Sequence, residues 1–336
     1  MTGSASGILS DPIRWGILGA GSIAATVGAD IAASPGCTLA AVGARDLARA
    51  EAFAATNGVA RAYGSYAELV ADPEVDVVYI ATTHGQHHEH ALLALEAGKP
   101  VLVEKAFALN ARQAREIVAT ARERRLFCME AMWMRFNPLV RRAQQVVASG
   151  AIGEVVGLRA ELCSRFEFDA RHRLFDLAAG GGALLDLGVY PITFAWLILG
   201  APEHVDAIGT LSPTGSDASV SIQCGYRDGA LGQIFTSAVT HSPAAGMICG
   251  TKGTVEIGPR IQRATSLTVT TEPGEEFTTT PITGNGYGLQ VAEVARCLRQ
   301  GELESPVVPL DETVAILEMI DDVRKRIGVR YPADGS

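Results

Sequence analysis

A glutamate and a lysine, Glu104 and Lys105, close the apolar run Pro100–Val103 in the stretch PVLVEKAFALN, with no turn residue before them. On a surface strand such a pair would be an ordinary ion pair worth about 0–1 kcal/mol. At the end of a buried strand it has a use. An ammonium there can hold a hydroxyl oxygen and stabilise the alkoxide charge that grows as a hydride leaves the neighbouring carbon. It can also exchange the proton that oxidation of an alcohol to a carbonyl releases. Glu104 would then orient the lysine or anchor a ribose hydroxyl.

A second set of residues supplies the hydride acceptor's seat. Gly19-x-Gly21-x-x-Ala24 follows the apolar run IRWGIL and opens a helical pattern. Gly19 permits the tight turn, and Gly21 lets the backbone approach a pyrophosphate lying on the N-terminus of the helix that Ser22 and Ile23 begin. A second strand follows about 20 residues on, as a dinucleotide fold requires. That strand ends in VGARD, with Gly43 and Ala44 where an acidic residue would bind an NAD ribose, then Arg45. A guanidinium receives a 2′-phosphate, so NADP is favoured, with NAD as the alternative. Asp46 reads as the cap of the next helix. Thr82 and His84, past the strand VDVVYIA, complete the expected cofactor side.

These residues need a scaffold that gathers strand ends. Over residues 1–131, continuous apolar runs (IRWGIL, TLAAVG, VDVVYIA, PVLV) alternate with helical patterns. One of these helices has Asn110 as cap, Gln113 three residues on, and Ala114, Ile117, Val118 and Ala121 on one face. Continuous runs suit parallel strands covered on both faces, so the first domain is expected to be a doubly wound Rossmann sheet. Residues 132–336 change texture. EVVGLRAEL, SVSIQCG, GTVEI and SLTVTT alternate apolar and polar residues. This predicts an α+β domain with a large, mostly antiparallel open sheet that binds substrate and supports self-association as a dimer or tetramer. The stretch LGVYPITFAWLILGAP is too short to span a bilayer and reads as a buried helix. A last helix starts near Asp311, with Gly328 just past its end. The first twelve residues and the terminal PADGS read as loose tails.

The 336 residues are 48% apolar and 19% charged, with a net charge of −9. That is a soluble globular composition for two domains, and no basic stretch offers a nucleic acid a footing. Six separated cysteines read as free thiols in a reducing, cytoplasmic setting.

Taken together, GILGAGSIA, YIATTHGQHHEHALLALEAGKPVLVEK, MEAMWMRFNP, GGALLDLGVYP and ESPVVPLDETVAILEMIDDVR resemble the glucose–fructose oxidoreductase/inositol dehydrogenase/MocA (Gfo/Idh/MocA) family over nearly the whole chain. Within it, EAMWMRFNP and a tyrosine after LLDLG are most similar to the dihydrodiol dehydrogenase and D-xylose dehydrogenase subgroup. The resemblance implies Lys105 as the catalytic lysine, Tyr190 as proton donor and acceptor, and Asp186 as an assisting residue. Asp186 and Tyr190 are four apart, which places them on one face of a helix. The resemblance also places Trp133 at the substrate, where an indole can stack on a ring's carbon face. Arg135 and Phe136 beside it, and Tyr287 in GNGYGLQ, join the substrate candidates. His87 matches a family histidine on the cofactor or substrate side.

The chain departs from the family pattern at Ala106, where proline is usual, at Thr83 and at His84. The family's proline often follows a cis bond, whereas a non-proline cis bond costs roughly 2.5–4 kcal/mol, so the sequence leaves the Lys105–Ala106 bond open between cis and trans. The histidines of HGQHHEH do not converge as a metal site. His88 falls with Ala91, Leu92 and Leu95 on a packing face.

The expectation is an NADP(H)-dependent oxidoreductase moving a hydride between nicotinamide and a hydroxyl-bearing carbon of a small sugar or cyclic trans-diol, without a metal. The alternatives are a keto-sugar reductase in biosynthesis and a non-catalytic NADP-sensing regulator.

Overall fold

The computed structural model describes residues 12–335, so the expected N-terminal tail lies outside the described residues except for its last position. In chain order the elements are β1 (Ile13–Leu18), α1 (Ser22–Ala33), β2 (Cys37–Gly43), α2 (Leu47–Asn57), β3 (Arg61–Tyr63), α3 (Tyr66–Ala71), β4 (Val77–Ile80), α4 (His84–Glu96), β5 (Val101–Val103), α5 (Ala111–Arg124) and β6 (Cys128–Glu130). A short 3₁₀ turn over Trp133–Phe136 leads to α6 (Pro138–Ala148) and β7 (Val155–Cys163). A π-helical turn, Leu184–Gly188, runs into α7 (Val189–Leu199). Then come β8 (His204–Leu211), β9 (Asp217–Gly225), β10 (Leu231–Ser237), β11 (Gly246–Gly250), β12 (Gly253–Gly258), β13 (Ser266–Thr271), β14 (Gly274–Thr279), α8 (Gly288–Gln300) and α9 (Leu310–Ile327).

The chain packs as two units. The first holds the described residues up to Ala108, Arg112–Met132 and Thr283–Thr313; the second holds Leu109–Ala111, Trp133–Ile282 and the residues from Val314 on. The main crossing falls one residue from the 131/132 division read from the sequence. The sequence reading kept 132–336 as one domain, whereas the first unit takes back Thr283–Thr313. Buried Asp30 of α1 is one reason. Its carboxylate accepts the backbone N–H groups of Asn285 and Tyr287 at 3.0 and 2.8 Å, pinning the entry to α8.

In the first unit six parallel strands lie in the order β3-β2-β1-β4-β5-β6. Every residue of β4 and β5 is fully buried, as continuous Val, Ile, Leu and Tyr runs require when helices cover both faces. Burying each large aliphatic side chain stabilises the sheet by about 1.5–3 kcal/mol. The strand order reverses between β1 and β4, and in such sheets ligands bind beyond the strand carboxyl ends at that switch point.

In the second unit eight strands run β14-β13-β12-β11-β7-β10-β9-β8. All pairs are antiparallel except β7 with β10. Leu158, Ala160 and Leu162 of β7 are buried on one face, while Arg159 and Glu161 face away, as the alternation predicts. The run around α7 is a buried helix, and among the described residues no helix is long and apolar enough to cross a membrane. α9 ends before Gly328, whose φ of +81° suits only a glycine at little cost.

The terminal PADGS departs from the expected loose tail. Pro332–Asp334 forms a 3₁₀ turn, and Asp334 accepts hydrogen bonds from Arg324 at 2.8 Å and from the Tyr331 N–H at 2.7 Å. A charge-assisted bond to a buried guanidinium outweighs the local preference for disorder. Among the described residues the six cysteines form no disulfide, and four of them are buried.

Candidate active site

The first unit assembles one set of candidates from strand ends. Gly19 has φ +110°, and a Cβ there would stand 2.7 Å from the Ala81 carbonyl oxygen, so only glycine lets β1 turn beside β4. A Cβ on Gly21 would meet nothing within 4 Å, and no side chain caps the N-terminus of α1, which starts at Ser22 and Ile23. An open backbone cradle at an uncapped helix N-terminus fits a dinucleotide's pyrophosphate.

Arg45 lies exposed just past β2. Asp46 caps α2 by accepting the Arg49 N–H at 2.9 Å, the capping role read from the sequence. Arg49 was not singled out from sequence. Its guanidinium donates to the Ala20 carbonyl at 3.3 Å, within the glycine loop. The signal was present as a second arginine four residues after Arg45, in the first turn of the helix that follows.

Beyond β4 and β5 lies a tight polar weave. Glu104 is buried, accepting the Tyr79 hydroxyl at 2.6 Å and the Lys105 backbone N–H at 3.2 Å. Burial pushes its carboxyl up to about 7, although both hydrogen bonds favour the ionised form. This favours the orienting role over the ribose role, because both carboxylate oxygens are engaged inside the protein. Tyr79 was read only as part of an apolar strand.

Lys105 itself is half-buried. The Lys105–Ala106 peptide bond, left open by the sequence, is cis. His84 places its Nε2 3.2 Å from the Lys105 carbonyl, and His87 places its Nδ1 2.8 Å from the Ala106 carbonyl. His87 Nε2 lies 3.1 Å from the Thr82 carbonyl, and Thr82 Oγ1 is 3.0 Å from His90 Nδ1.

His87 corrects the expectation of a cofactor- or substrate-side group. It is fully buried, both ring nitrogens face backbone carbonyls, and burial holds it neutral with its pKa down at about 3. Its work is to tie the end of β4 to the segment after Lys105. His88 is corrected too. It is half-buried and reaches Glu116 at 2.7 Å, while His84, His87, His90, Ala91, Ala94 and Leu95 form the buried face of α4. Among the described residues no group of three or more His, Cys, Asp or Glu could hold a metal ion.

The second unit assembles the other set. The Trp133 indole N–H donates to the Tyr190 hydroxyl oxygen at 2.8 Å, with both side chains over nine-tenths buried. Tyr190 stands in the first turn of α7, and Asp186 in the π turn before it. Such turns widen the backbone and recur at functional sites. Arg173 donates to both carboxylate oxygens of Asp186, at 3.1 and 3.3 Å. It comes from the loop 164–180, which sequence patterning could not place. Arg135 and Phe136 are buried within the 3₁₀ turn, with Arg141 stacked 5.8 Å from the Phe136 ring, which makes packing their visible role. Tyr287 is half-buried in the first unit, where its backbone N–H donates to Asp30 at 2.8 Å.

Residues 13–132 match the family described as "Oxidoreductase family, NAD-binding Rossmann fold", and residues 140–256 match the "GFO/IDH/MocA C-terminal domain". The chain belongs to the GFO/IDH/MocA oxidoreductase family. Within the family it is 41% identical to the trans-1,2-dihydrobenzene-1,2-diol dehydrogenase of Mus musculus, over 96% of this chain and 99% of the mouse protein. The Bos taurus protein of the same name is 39% identical over 96% of this chain and 99% of its own length. Among solved structures, a 3-ketoreductase from Actinomadura kijaniata, in complex with NADP and TDP-benzene, superposes with a TM-score of 0.85 at 25% identity. That match covers 94% of this chain and 98% of the other. A levoglucosan dehydrogenase shares the fold, with a TM-score of 0.84 at 20% identity over 94% of this chain and 97% of that one.

Proposed function

We propose that this GFO/IDH/MocA member is an NADP(H)-dependent oxidoreductase that moves a hydride between nicotinamide and a hydroxyl-bearing carbon of a small sugar or cyclic trans-diol. The observation that carries the reading is the buried Tyr190 hydroxyl, held as an acceptor by the Trp133 indole N–H. A phenol fixed in this way is oriented by the indole, and its O–H is the group that exchanges the proton. The likeness to dihydrodiol dehydrogenases over nearly full length supports the substrate class, and the ketoreductase solved with NADP supports the cofactor.

When bound, the nicotinamide supplies the hydride acceptor or donor. The Gly19–Ile23 turn would hold the pyrophosphate, and Arg45 with Arg49 the 2′-phosphate. Lys105 holds the reacting oxygen through its ammonium, which stabilises negative charge as the C–H bond breaks. In reduction the Tyr190 O–H gives its proton to the oxygen that becomes the hydroxyl, and in oxidation the phenolate form takes that proton back. Asp186, held in place by Arg173, accepts hydrogen bonds from the substrate's other hydroxyls. Glu104 and His87 keep the Lys105 backbone where it stands.

Self-association is part of the proposal. The open face of the eight-stranded sheet has a hollow of about 660 Å³ lined by Arg159, Glu161, Gln223, Gln233 and Met247, and it leaves Phe235 and Ile208 exposed. A second copy of the chain would cover that face in a dimer or tetramer. Six cysteines without a disulfide among them fit a reducing cytoplasm.

The test is a panel of aldoses, trans-diols and keto-sugars assayed with NADP⁺ and NADPH. Oxidation of aldoses or diols with growth of reduced-nicotinamide absorbance supports the proposal. Activity confined to keto-sugars with NADPH would favour a biosynthetic ketoreductase, the reading that the A. kijaniata likeness also supports. No turnover with any of them would leave a cofactor-sensing regulator.

A further inference from the structure

Two buried groups that the mechanism above does not use converge on the start of the segment carrying Asp186 and Tyr190. Asp217, the first residue of β9, is fully buried, and its Oδ2 accepts the Leu184 N–H at 2.6 Å. Leu184 opens the π turn, two residues before Asp186. The other carboxylate oxygen lies against Gly182, whose φ is +131° and where any Cβ would collide with Asp217. Next to it, the Tyr331 hydroxyl donates to the Gly181 carbonyl at 2.8 Å.

Tyr331 is itself fixed. The Arg324 guanidinium stacks 4.6 Å from its ring, and Arg324 is bound by Asp321 at 2.6 Å and Asp334 at 2.8 Å. Asn110 donates to Asp334 at 3.0 Å. The C-terminal turn is thus a strut that ends on the glycine run.

The energetics do not suit a merely stabilising carboxylate. Burial pushes the Asp217 carboxyl up to about 6, so at neutral pH the fold carries a charge where charge is disfavoured. A buried ionised group is weak evidence for stability. A carboxylate at the N-terminal end of a helical segment does fix that end sharply, through a charge-assisted bond to its first N–H groups.

We propose that Asp217 and Tyr331 are positioning residues that set the register of the Leu184–Tyr190 segment, and so the placement of Asp186 and Tyr190 toward a polyol substrate. Neither touches a reacting atom; both act through the backbone of Gly181–Leu184. The proposal rests on the reading of Tyr190 as the proton carrier.

The test uses the full chain with NADP⁺ and the best substrate from the panel. Tyr331→Phe keeps the ring on Arg324 and removes only the hydroxyl. It should lower kcat five- to twentyfold, with KM for NADP⁺ within twofold. Asp217→Asn, which retains an acceptor, should lose less kcat than Asp217→Ala, and it serves if the alanine variant does not fold. The deciding measurement combines Tyr331→Phe with Tyr190→Phe. If Tyr331 acts through Tyr190, it should cost no further kcat in the Tyr190→Phe background. An equal loss in both backgrounds would overturn the proposal and leave Tyr331 a structural residue. Unchanged kcat in Tyr331→Phe would overturn it as well. Full turnover in Tyr190→Phe alone would overturn the underlying proton role instead, and the strut's purpose with it.

Discussion

Tyr79 donates its phenolic hydrogen to Glu104 across 2.6 Å, one strand over, inside the nucleotide-binding unit. The bond joins the middle of β4 to the residue before the candidate catalytic lysine. Glu104 titrates at about 7 instead of its ordinary 4.5, chiefly because it is buried. A carboxyl whose folded pKa is raised gives its full stabilisation below the unfolded value and loses it as pH climbs through the folded one. Stability should therefore decline from this group between pH 4.5 and about 7, by on the order of 3 kcal/mol at about 1.4 kcal/mol per unit. Glu104→Gln should flatten the slope of Tm against pH in that window. Tyr79→Phe, which removes a bond favouring the carboxylate, should move the titration higher still. An unaltered slope in the glutamine variant would show that Glu104 does not titrate there.

Lys105→Met should lower kcat by at least about a hundredfold while NADP⁺ binding, followed by fluorescence, changes little. Tyr190→Phe should do the same. Because both are assigned to one oxygen of the substrate, the double variant should lose far less than the product of the two single losses. Multiplicative losses would mean that the two act in separate steps.

Arg45→Asp should raise KM for NADP⁺ and shift preference toward NAD⁺. Arg49→Ala should weaken NADP⁺ in the same direction, by roughly tenfold for one charge-assisted contact. Steady-state kinetics with both cofactors separates the cases. Unchanged NADP⁺ affinity in both variants would mean that the 2′-phosphate is held elsewhere.

Arg173→Ala removes the bidentate partner of Asp186, a carboxylate only 7% exposed, from a guanidinium that is itself 50% exposed. The exposure of the arginine moderates the loss of stability to about 1–2 kcal/mol. KM for the polyol should rise about tenfold, and Arg173→Lys should fall between, since an ammonium cannot grip both oxygens. Unchanged KM would remove Arg173 and Asp186 from substrate binding.

The sequence exposed the elements whose pattern is long and regular. β1, β2 and β4 are continuous apolar runs, and α9 carries its helical stripe up to Gly328. The short strands β3 and β6, three residues each, are too brief to show a period. The glycine turn and Lys105 were legible because a strand end followed by glycines or by charge is unusual. Arg173 was not, because loop 164–180 has no periodicity, and its pairing with Asp186 is made by tertiary folding alone. His87 was misread for a related reason. Its two carbonyl partners, on Thr82 and Ala106, are set by how β4 and β5 end, which helical spacing within α4 does not reveal. The tail was misread because its anchor, Arg324, sits ten residues from Asp334.

Arg45 and Arg49 both lie exposed on the surface of the nucleotide-binding unit. Attraction between exposed charges is screened over about 8 Å at physiological ionic strength. Their grip on an extra phosphate should therefore loosen as salt is added, while the backbone cradle at Gly21 is affected much less. Cofactor choice in this enzyme would then vary with its medium, sharpest in dilute buffer and blunted in brine.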